Sequence, residues 1–388
     1  MQQLCKMVKK FKLETQDTGD GMQDFMAKLI EISTMKERND REASTEMEKR
    51  QSLQNLLTYN IQDARMKLMK TLLASNENMF ADLRWWNGLC NNHAGAWLDA
   101  IPKLPSLSMR SSDFRTALRY RYRLRIPAIR EGARCTCVIT RTQPNGRKEK
   151  SHPTLDPWGY HVCTGFGKDG KRIQTHDAVV AEINNLIRFA GGNTIREERD
   201  CFGAYLAGSN QRPDISILNP EGLNLPGTKV LLDVMVTCPL DGAASGIIST
   251  PTKSEAMGTL SRNLKDGFRA KMKKYEDLKK EISRRNPGDA IDTDEFKVYP
   301  IVFESTGQLY PESVNFLTLI LEQAAINMRA SSIDNLQYYF FKKVSIVLQT
   351  SISRAINCRV ANIMSHQDFR FNRQFPDDVI AEEHKQYI

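Results

Sequence analysis

Apolar residues recur at helical spacing through the first part of the chain, as in Leu53, Leu56, Leu57 and Ile61, and again in Met66, Leu68, Met69, Leu72 and Leu73. No glycine falls between Gly21 and Gly88, and no proline precedes Pro102. The pattern predicts one or two long helices over residues 1–90, a helical arm suited to coiled-coil self-association. The window Asp82 to Trp97 then turns to aromatics, Gly and Asn and marks a boundary. Beyond it the sequence predicts a helix N-capped by Ser111 or Ser112. Its inward positions are Phe114, Leu118, Tyr122 and Leu124, with Arg115, Arg119, Arg121, Arg123 and Arg125 spread over the rest. Residues 133–170 carry no strong periodicity and read as a loop-rich module. An amphipathic helix follows from His176 to Ala190, stopped by Gly191 and Gly192, and then a strand near Asn193 to Arg196.

The next two runs alternate or fill with β-branched and aliphatic residues, and each holds one carboxylate. Asp214 follows Pro213 at the mouth of Ile215, Ile217 and Leu218; Asp233 sits inside the otherwise apolar run Val230 to Val236. A buried carboxylate is costly unless paired or bound to metal. Two such strands joined by a Pro/Gly-rich turn bring both acids toward one hard divalent cation, which is what phosphodiester hydrolysis requires. A helix from Ser254 to Ser283, a strand from Lys297 to Glu304 and two helices to about Ser365 complete the pattern. The expected fold class is α/β, a mixed sheet flanked by helices. The expected division is a helical arm (1–90), a basic helical linker (91–132), a metal module (133–170), a catalytic core (171–310) and C-terminal helices packed on it (311–388).

Charge sharpens this picture. Arg110 to Lys150 holds twelve Arg/Lys against three Asp/Glu, and Arg262 to Arg285 ten against four, so these two segments carry +9 and +6 in a chain of net +9 whose remainder is slightly acidic. Localised positive charge is the footprint of a polyanion partner; solvated basic helix faces are the plainer alternative. No apolar stretch reaches the 18 or so residues of a membrane span, and the first residues lack a secretory signal. Eight scattered cysteines fit a reducing compartment, and one set has metal-ligand spacing: Cys135 and Cys137, then His161 and Cys163. His152 is the competing imidazole.

Several short motifs follow one another from about Ala96 to Ala355. They are AGAWLDAIP, DFRTALRYRY, the Cys/Cys/His/Cys set, RIQTHDAVVAEI, Arg196 to Glu198, Arg212 to Asp214, LLDVMVTCPL, AKMKKY and YPIVFESTGQLYPES. In this order they resemble the C-terminal region of non-LTR retrotransposon reverse transcriptase proteins, which carries a restriction-like PD-(D/E)XK endonuclease, or a stand-alone relative of it. The resemblance implies a restriction-endonuclease-like core, a DNA partner with RNA left open, Mg²⁺ (or Mn²⁺) at Asp214 and Asp233, Zn²⁺ at the knuckle, and a nuclear location. The lysine expected two residues after the second acid is replaced by Met235. The resemblance displaces it to a following helix, where Lys271, Lys274 and Tyr275 are candidates, Lys271 and Tyr275 sharing a face. Glu198 or Glu197 and Asp177 are auxiliary acids, and Arg172, His176 and Arg212 are the expected phosphate contacts. Since 90 residues cannot hold a polymerase, a truncated element or a free-standing derivative is expected; a catalytically decayed nucleic-acid-binding module is the alternative.

Overall fold

A computed structural model describes residues 63, 66–91, 93–102, 104–142, 147–161, 171–198, 201–202, 211–240, 249–285, 296–328 and 332–374. The chain divides into two compact units, residues 1–76 and 77–388. Of the first, residues 66–74 are helical; the rest of the expected self-associating arm falls largely outside the described residues. Helix α1 (Phe80–Leu89), expected at the end of the arm, belongs to the second unit and is buried there through Phe80, Leu83, Arg84 and Trp85.

In chain order the second unit continues with α2 (Ser111–Arg121), the hairpin strands β1 (Ile139–Thr142) and β2 (Lys148–Ser151), α3 (Lys171–Phe189), β3 (Thr194–Arg196), β4 (Ile215–Ile217), β5 (Lys229–Thr237), α4 (Lys253–Met257), α5 (Arg262–Arg285), β6 (Phe296–Glu304), α6 (Pro311–Met328) and α7 (Ile333–Gln374). The four strands β3 to β6 form one mixed sheet in that order. β3, β4 and β5 are antiparallel neighbours, and β5 and β6 run parallel. A parallel pair requires a crossover, and α5 supplies it. The result is a mixed α/β architecture with helices on both faces of the sheet. Among the described residues no helix is long and apolar enough to cross a membrane.

Side-chain alternation along β5 decides what faces what. Val230, Leu232 and Val234 enter the main core with Val179, Ile183 and Ile187 of α3, Phe316 and Ile320 of α6, and Val344 and Leu348 of α7. Leu231 faces the opposite way, into a smaller cluster with Tyr275, Leu278 and Ile282 of α5 and Phe296. Asp233 therefore points toward α5. Gly267 allows α5 to approach closely: a Cβ there would lie 3.1 Å from Met235 Sδ and 3.3 Å from both Thr237 and Val302. One helical turn beyond that contact, the helix arrives over Asp233.

Several elements differ from the sequence pattern for identifiable reasons. The helix expected from Ser254 to Ser283 is two helices, because Gly258 ends α4 and Ser261 caps α5, its Oγ accepting the Leu264 amide at 3.0 Å. α3 begins five residues earlier than expected and stops as predicted, with Gly191 at φ +90 and the Gly192 amide on the Ile187 carbonyl. α2 is rotated from its expected face. Asp113, Thr116, Ala117, Tyr120 and Arg121 are buried, while Phe114, Tyr122 and Leu124 are exposed. Hydrogen bonds to α7 account for the rotation: Arg354 Nε donates to Asp113 at 3.1 Å, and Thr116 Oγ1 donates to Asn357 at 2.8 Å. Neither serine caps this helix; Arg110 occupies the N-cap position without a side-chain bond. Segment 133–161 is knitted into the main core through Ala133, Cys135, Leu155 and Tyr160 rather than standing as a separate module.

Candidate active site

Asp233 is almost fully buried, and its carboxylate is met from α5 by three groups. Lys271 Nζ bonds Oδ1; Lys274 Nζ donates to Oδ2 at 2.8 Å and the Tyr275 hydroxyl donates to the same oxygen at 3.1 Å. Residues three and four apart on a helix share a face, so one turn of α5 delivers all three. Burial opposes ionisation of Asp233, but the charges and hydrogen bonds of Lys271 and Lys274 outweigh it and hold the carboxyl below its ordinary value. Burial, then the Asp233 and Asp214 charges, push the Tyr275 phenol upward, so it remains a donor.

Asp214 reaches the same place from β4. Ile215 pairs with Leu232, yet the Asp214 amide also donates to the Leu232 carbonyl at 2.9 Å, so two residues of one strand face one residue of the other. Such a bulge redirects the side chain. The Asp214 carboxylate then continues the ladder in place of a backbone carbonyl, its Oδ2 accepting the Val234 amide at 2.6 Å. The first acid is thus fixed against the residue that follows the second. Oδ1 of Asp214 has no hydrogen-bond partner among the described residues. His176, on α3, places Nε2 3.2 Å from Asp214 Oδ2 and Nδ1 3.0 Å from Asp177 Oδ1. Burial lowers the His176 pKa, but the two carboxylates prevail and raise it to about 9. His176, expected as a phosphate contact, is therefore in direct contact with a predicted metal ligand.

Glu198 is committed elsewhere, its Oε1 accepting Lys229 Nζ at 2.8 Å at the start of β5. Arg212 pairs with Glu197 at 3.2 Å, both about half exposed. The side chain of Arg172, in the first turn of α3, lies outside the described residues.

The arginines of α2 divide into two groups. Arg121 is a structural residue rather than a phosphate contact: its buried guanidinium donates to the Ala94 carbonyl at 2.6 Å and to Leu89 at 3.3 Å. Arg123 pairs with Asp82 at 2.6 Å and lies over the Trp158 ring. Arg119 donates to the Arg125 carbonyl at 2.8 Å, bracing the turn after the helix. Arg115 and Arg125 remain exposed. Arg121→Ala is accordingly expected to destabilise the fold by about 2–3 kcal/mol, since it strands the buried Ala94 carbonyl and the half-buried Leu89 carbonyl. The Arg115→Ala/Arg125→Ala pair, both exposed, should leave thermal stability unchanged. Thermal melts check both.

A second cluster lies in the 133–161 segment. Cys135, Cys137 and His161 offer ligand atoms all within 4.8 Å of one another, close enough to hold a metal ion. Cys137 Sγ and His161 Nε2 are 3.1 Å apart. Burial raises the Cys135 thiol, but hydrogen bonds from His161 and Cys137 and the Arg359 charge bring it down to about 6, while burial and the neighbouring Cys135 push Cys137 up to about 12. Two thiols and an imidazole are the donor chemistry that suits zinc; the expected fourth ligand, Cys163, lies outside the described residues. His152 is not in this group, because its Nδ1 contacts the Cys135 and Cys137 carbonyls at 3.1 and 2.9 Å. The sequence pattern missed two supporting residues. Asp156 accepts the amides of Trp158, Tyr160 and His161 and so fixes the turn that presents His161. Its place five residues before the imidazole, in an Asp-Pro-Trp-Gly turn, was the available signal. Arg359 of α7 donates to Cys135 Sγ at 3.4 Å, a contact that nothing local in the sequence announces.

A scan against protein-family models finds no match to the chain, and a search of the curated proteins finds none either.

Proposed function

We propose that the chain is a divalent-metal-dependent DNA endonuclease of the restriction-like type. The observation that carries this reading is the convergence on Asp233 of Lys271, Lys274 and Tyr275 from one turn of α5, with Asp214 bonded to the amide of the next residue. The order of α3, β3, β4, β5, α5 and β6 around a mixed sheet agrees with the core that the motif resemblance implies. The absence of a lysine at Met235 has a compensating feature: Met235 packs on Gly267, and the helix so seated supplies Lys271 one turn later.

The donor set fits a hard cation. Asp233 is held ionised, and Oδ1 of Asp214 has no hydrogen-bond partner among the described residues; carboxylate oxygens are the ligands that Mg²⁺ and Mn²⁺ favour. Asp214 and Asp233 would hold such an ion, which would supply polarisation of the scissile phosphate and a more acidic attacking water. Lys271 and Lys274 are partly exposed, so they can swing from Asp233 to the phosphate and place positive charge where negative charge accumulates in the transition state. Tyr275 keeps its proton and holds the Asp233 carboxylate in one orientation. The exposed arginines Arg115 and Arg125 and the basic face of α5 offer a track for the phosphate backbone. We assign the Cys135/Cys137/His161 group, with Cys163, to structural Zn²⁺.

Nicking of supercoiled plasmid in Mg²⁺ tests the reading. The wild type is expected to convert plasmid to open circles, and Asp214→Ala to bind DNA equally well without doing so. Equal nicking by both proteins sinks the catalytic reading; binding by both without nicking favours a decayed nucleic-acid-binding module.

A further inference from the structure

α2 turns outward the residues that its hydrophobic pattern assigns to the core, and they form an ordered row. Phe114, Leu118 and Tyr122 are four apart, so they follow one another along the helix at about 6 Å intervals, about 12 Å from end to end. Phe114 is 40% and Tyr122 51% exposed, with Leu118 half-buried between them. Phe114 is also held in place, its ring edge-on to Trp97 with 5.6 Å between centroids. One position further on, Arg115 and Arg119 make a parallel cationic row. The turn after the helix adds a third cation. There the Leu124 amide closes on the Arg119 carbonyl at 2.8 Å, and Arg119 donates to the Arg125 carbonyl at 2.8 Å, which keeps Arg125 at the end of the row. Arg123 takes the left-handed conformation that this turn requires, at φ +50, and is secured there by Asp82 and the Trp158 ring. The acids beside the helix are committed to other partners, Asp113 to Arg354 and Asp82 to Arg123.

Solvent-facing rings bordered by a line of arginines match one ligand chemistry, in which flat apolar faces alternate with anionic groups. Unpaired nucleotides have it: each base offers a π-face and each phosphate a charge. In a duplex those faces are covered by the neighbouring bases, so a helix surface meets only edges and phosphates there. We propose that the exposed face of α2 is a stacking platform for unpaired nucleotides. Phe114 and Tyr122 take base faces across Leu118, and Arg115, Arg119 and Arg125 hold the phosphates. A row of about 12 Å accommodates about three nucleotides at the duplex rise of about 3.4 Å, and fewer in a more extended strand. The adjoining cations select a polyanion over an apolar protein surface. The proposal rests on the nuclease reading above for its ligand and adds the form of the substrate: a nucleic acid with an unpaired stretch, such as a flap, a bubble or a frayed end.

The test uses the full chain without Mg²⁺, so that binding is read apart from cleavage. The probes are a fluorescein-labelled thymidylate of about 12 nucleotides, a uridylate of the same length and a DNA duplex of the same length, followed by anisotropy. Phe114→Ala and Tyr122→Ala are each expected to lose about tenfold in affinity for the single strand and together about a hundredfold, the effect of removing one stacked base per ring. Duplex affinity should change less than threefold. Tyr122→Phe keeps the ring and should bind the single strand within about twofold of wild type. Loss on either the thymidylate or the uridylate supports the platform and tells which sugar it takes. Thermal melts establish that the variants fold; if Phe114→Ala does not, because its ring braces Trp97, Tyr122→Ala against Tyr122→Phe decides alone. Unchanged single-strand affinity in a folded alanine variant overturns the proposal, as does an equal loss on single strand and duplex. Self-association of the wild type that the alanine variants abolish, with single-strand binding intact, overturns it too and makes this face a contact between copies of the chain. Wild-type protein that binds none of the three probes instead sinks the nuclease reading on which the proposal rests.

Discussion

Asp233→Asn is expected to lower Mg²⁺-dependent cleavage by on the order of a hundred- to a thousandfold, the size of effect seen when one electrostatic element of a catalytic site is removed. The substitution is close to isosteric, so the shape between Leu231 and Met235 is kept. A neutral amide is easier to bury than a carboxylate, and its oxygen can still accept from Tyr275. Lys271 and Lys274, partly exposed already, can extend into solvent once their partner is neutral. The change in stability should therefore stay within about 1–2 kcal/mol, the net worth of the hydrogen bonds exchanged. Plasmid nicking together with a thermal melt checks both halves. Loss of activity with a collapsed melt would mean that Asp233 is structural; retained activity would mean that the cation is held elsewhere.

The mirror experiment acts on the helix. Replacing Lys271 and Lys274 together by Met leaves the Asp233 carboxylate buried with Tyr275 as its remaining partner. Removing the cationic side of a buried pair strands the other charge, at a cost of about 3–5 kcal/mol. The two proteins should also respond to pH in opposite senses. In the wild type the Asp233 pKa lies below its unfolded value, so the unfolded state binds more protons and stability rises with pH through the carboxylate range; the contribution is complete above about pH 4 and lost as pH falls through the folded pKa. In the double variant, desolvation without compensating cations raises the folded pKa. Its stability should be greatest in acid and fall as pH increases from about 4 to neutrality. Chemical denaturation at a series of pH values separates the two curves. Parallel curves would show that the lysines do not neutralise Asp233.

Much of this site was legible in the sequence because it follows local rules. A lone acid in an apolar strand must have a partner; that Lys271, Lys274 and Tyr275 of a following helix belong beside it is what the motif resemblance implies, and the geometry brings all three to Asp233. The Cys-x-Cys and His spacing likewise anticipates the Cys135/Cys137/His161 group. What local rules missed depends on contacts distant in sequence. Arg121 looks like a surface cation in an Arg/Tyr alternation, and only the carbonyls of Leu89 and Ala94 turn it into a buried brace. The hydrophobic periodicity of α2 pointed Phe114 and Leu124 inward, but Asp113 and Thr116 bonded to α7 and fixed the opposite face. Glu198 is an auxiliary acid by the motif resemblance, and Lys229 at the start of β5, 31 residues away in sequence, claims it instead. His176 was placed at the site by its position at the helix start; its contact with Asp214 follows from a bulge that no periodicity predicts.

The central claim is that Asp214 and Asp233 hold one divalent cation between β4 and β5, beneath α5. Anomalous diffraction from crystals grown with Mn²⁺ tests it most directly. The expected result is a difference peak within about 2.0–2.4 Å of an oxygen of each aspartate, the range of Mn²⁺-like coordination distances, with at least one of Lys271 and Lys274 moved off Asp233. Saturating Mn²⁺ that yields no peak there, with both lysines still bonded to Asp233, would contradict the account.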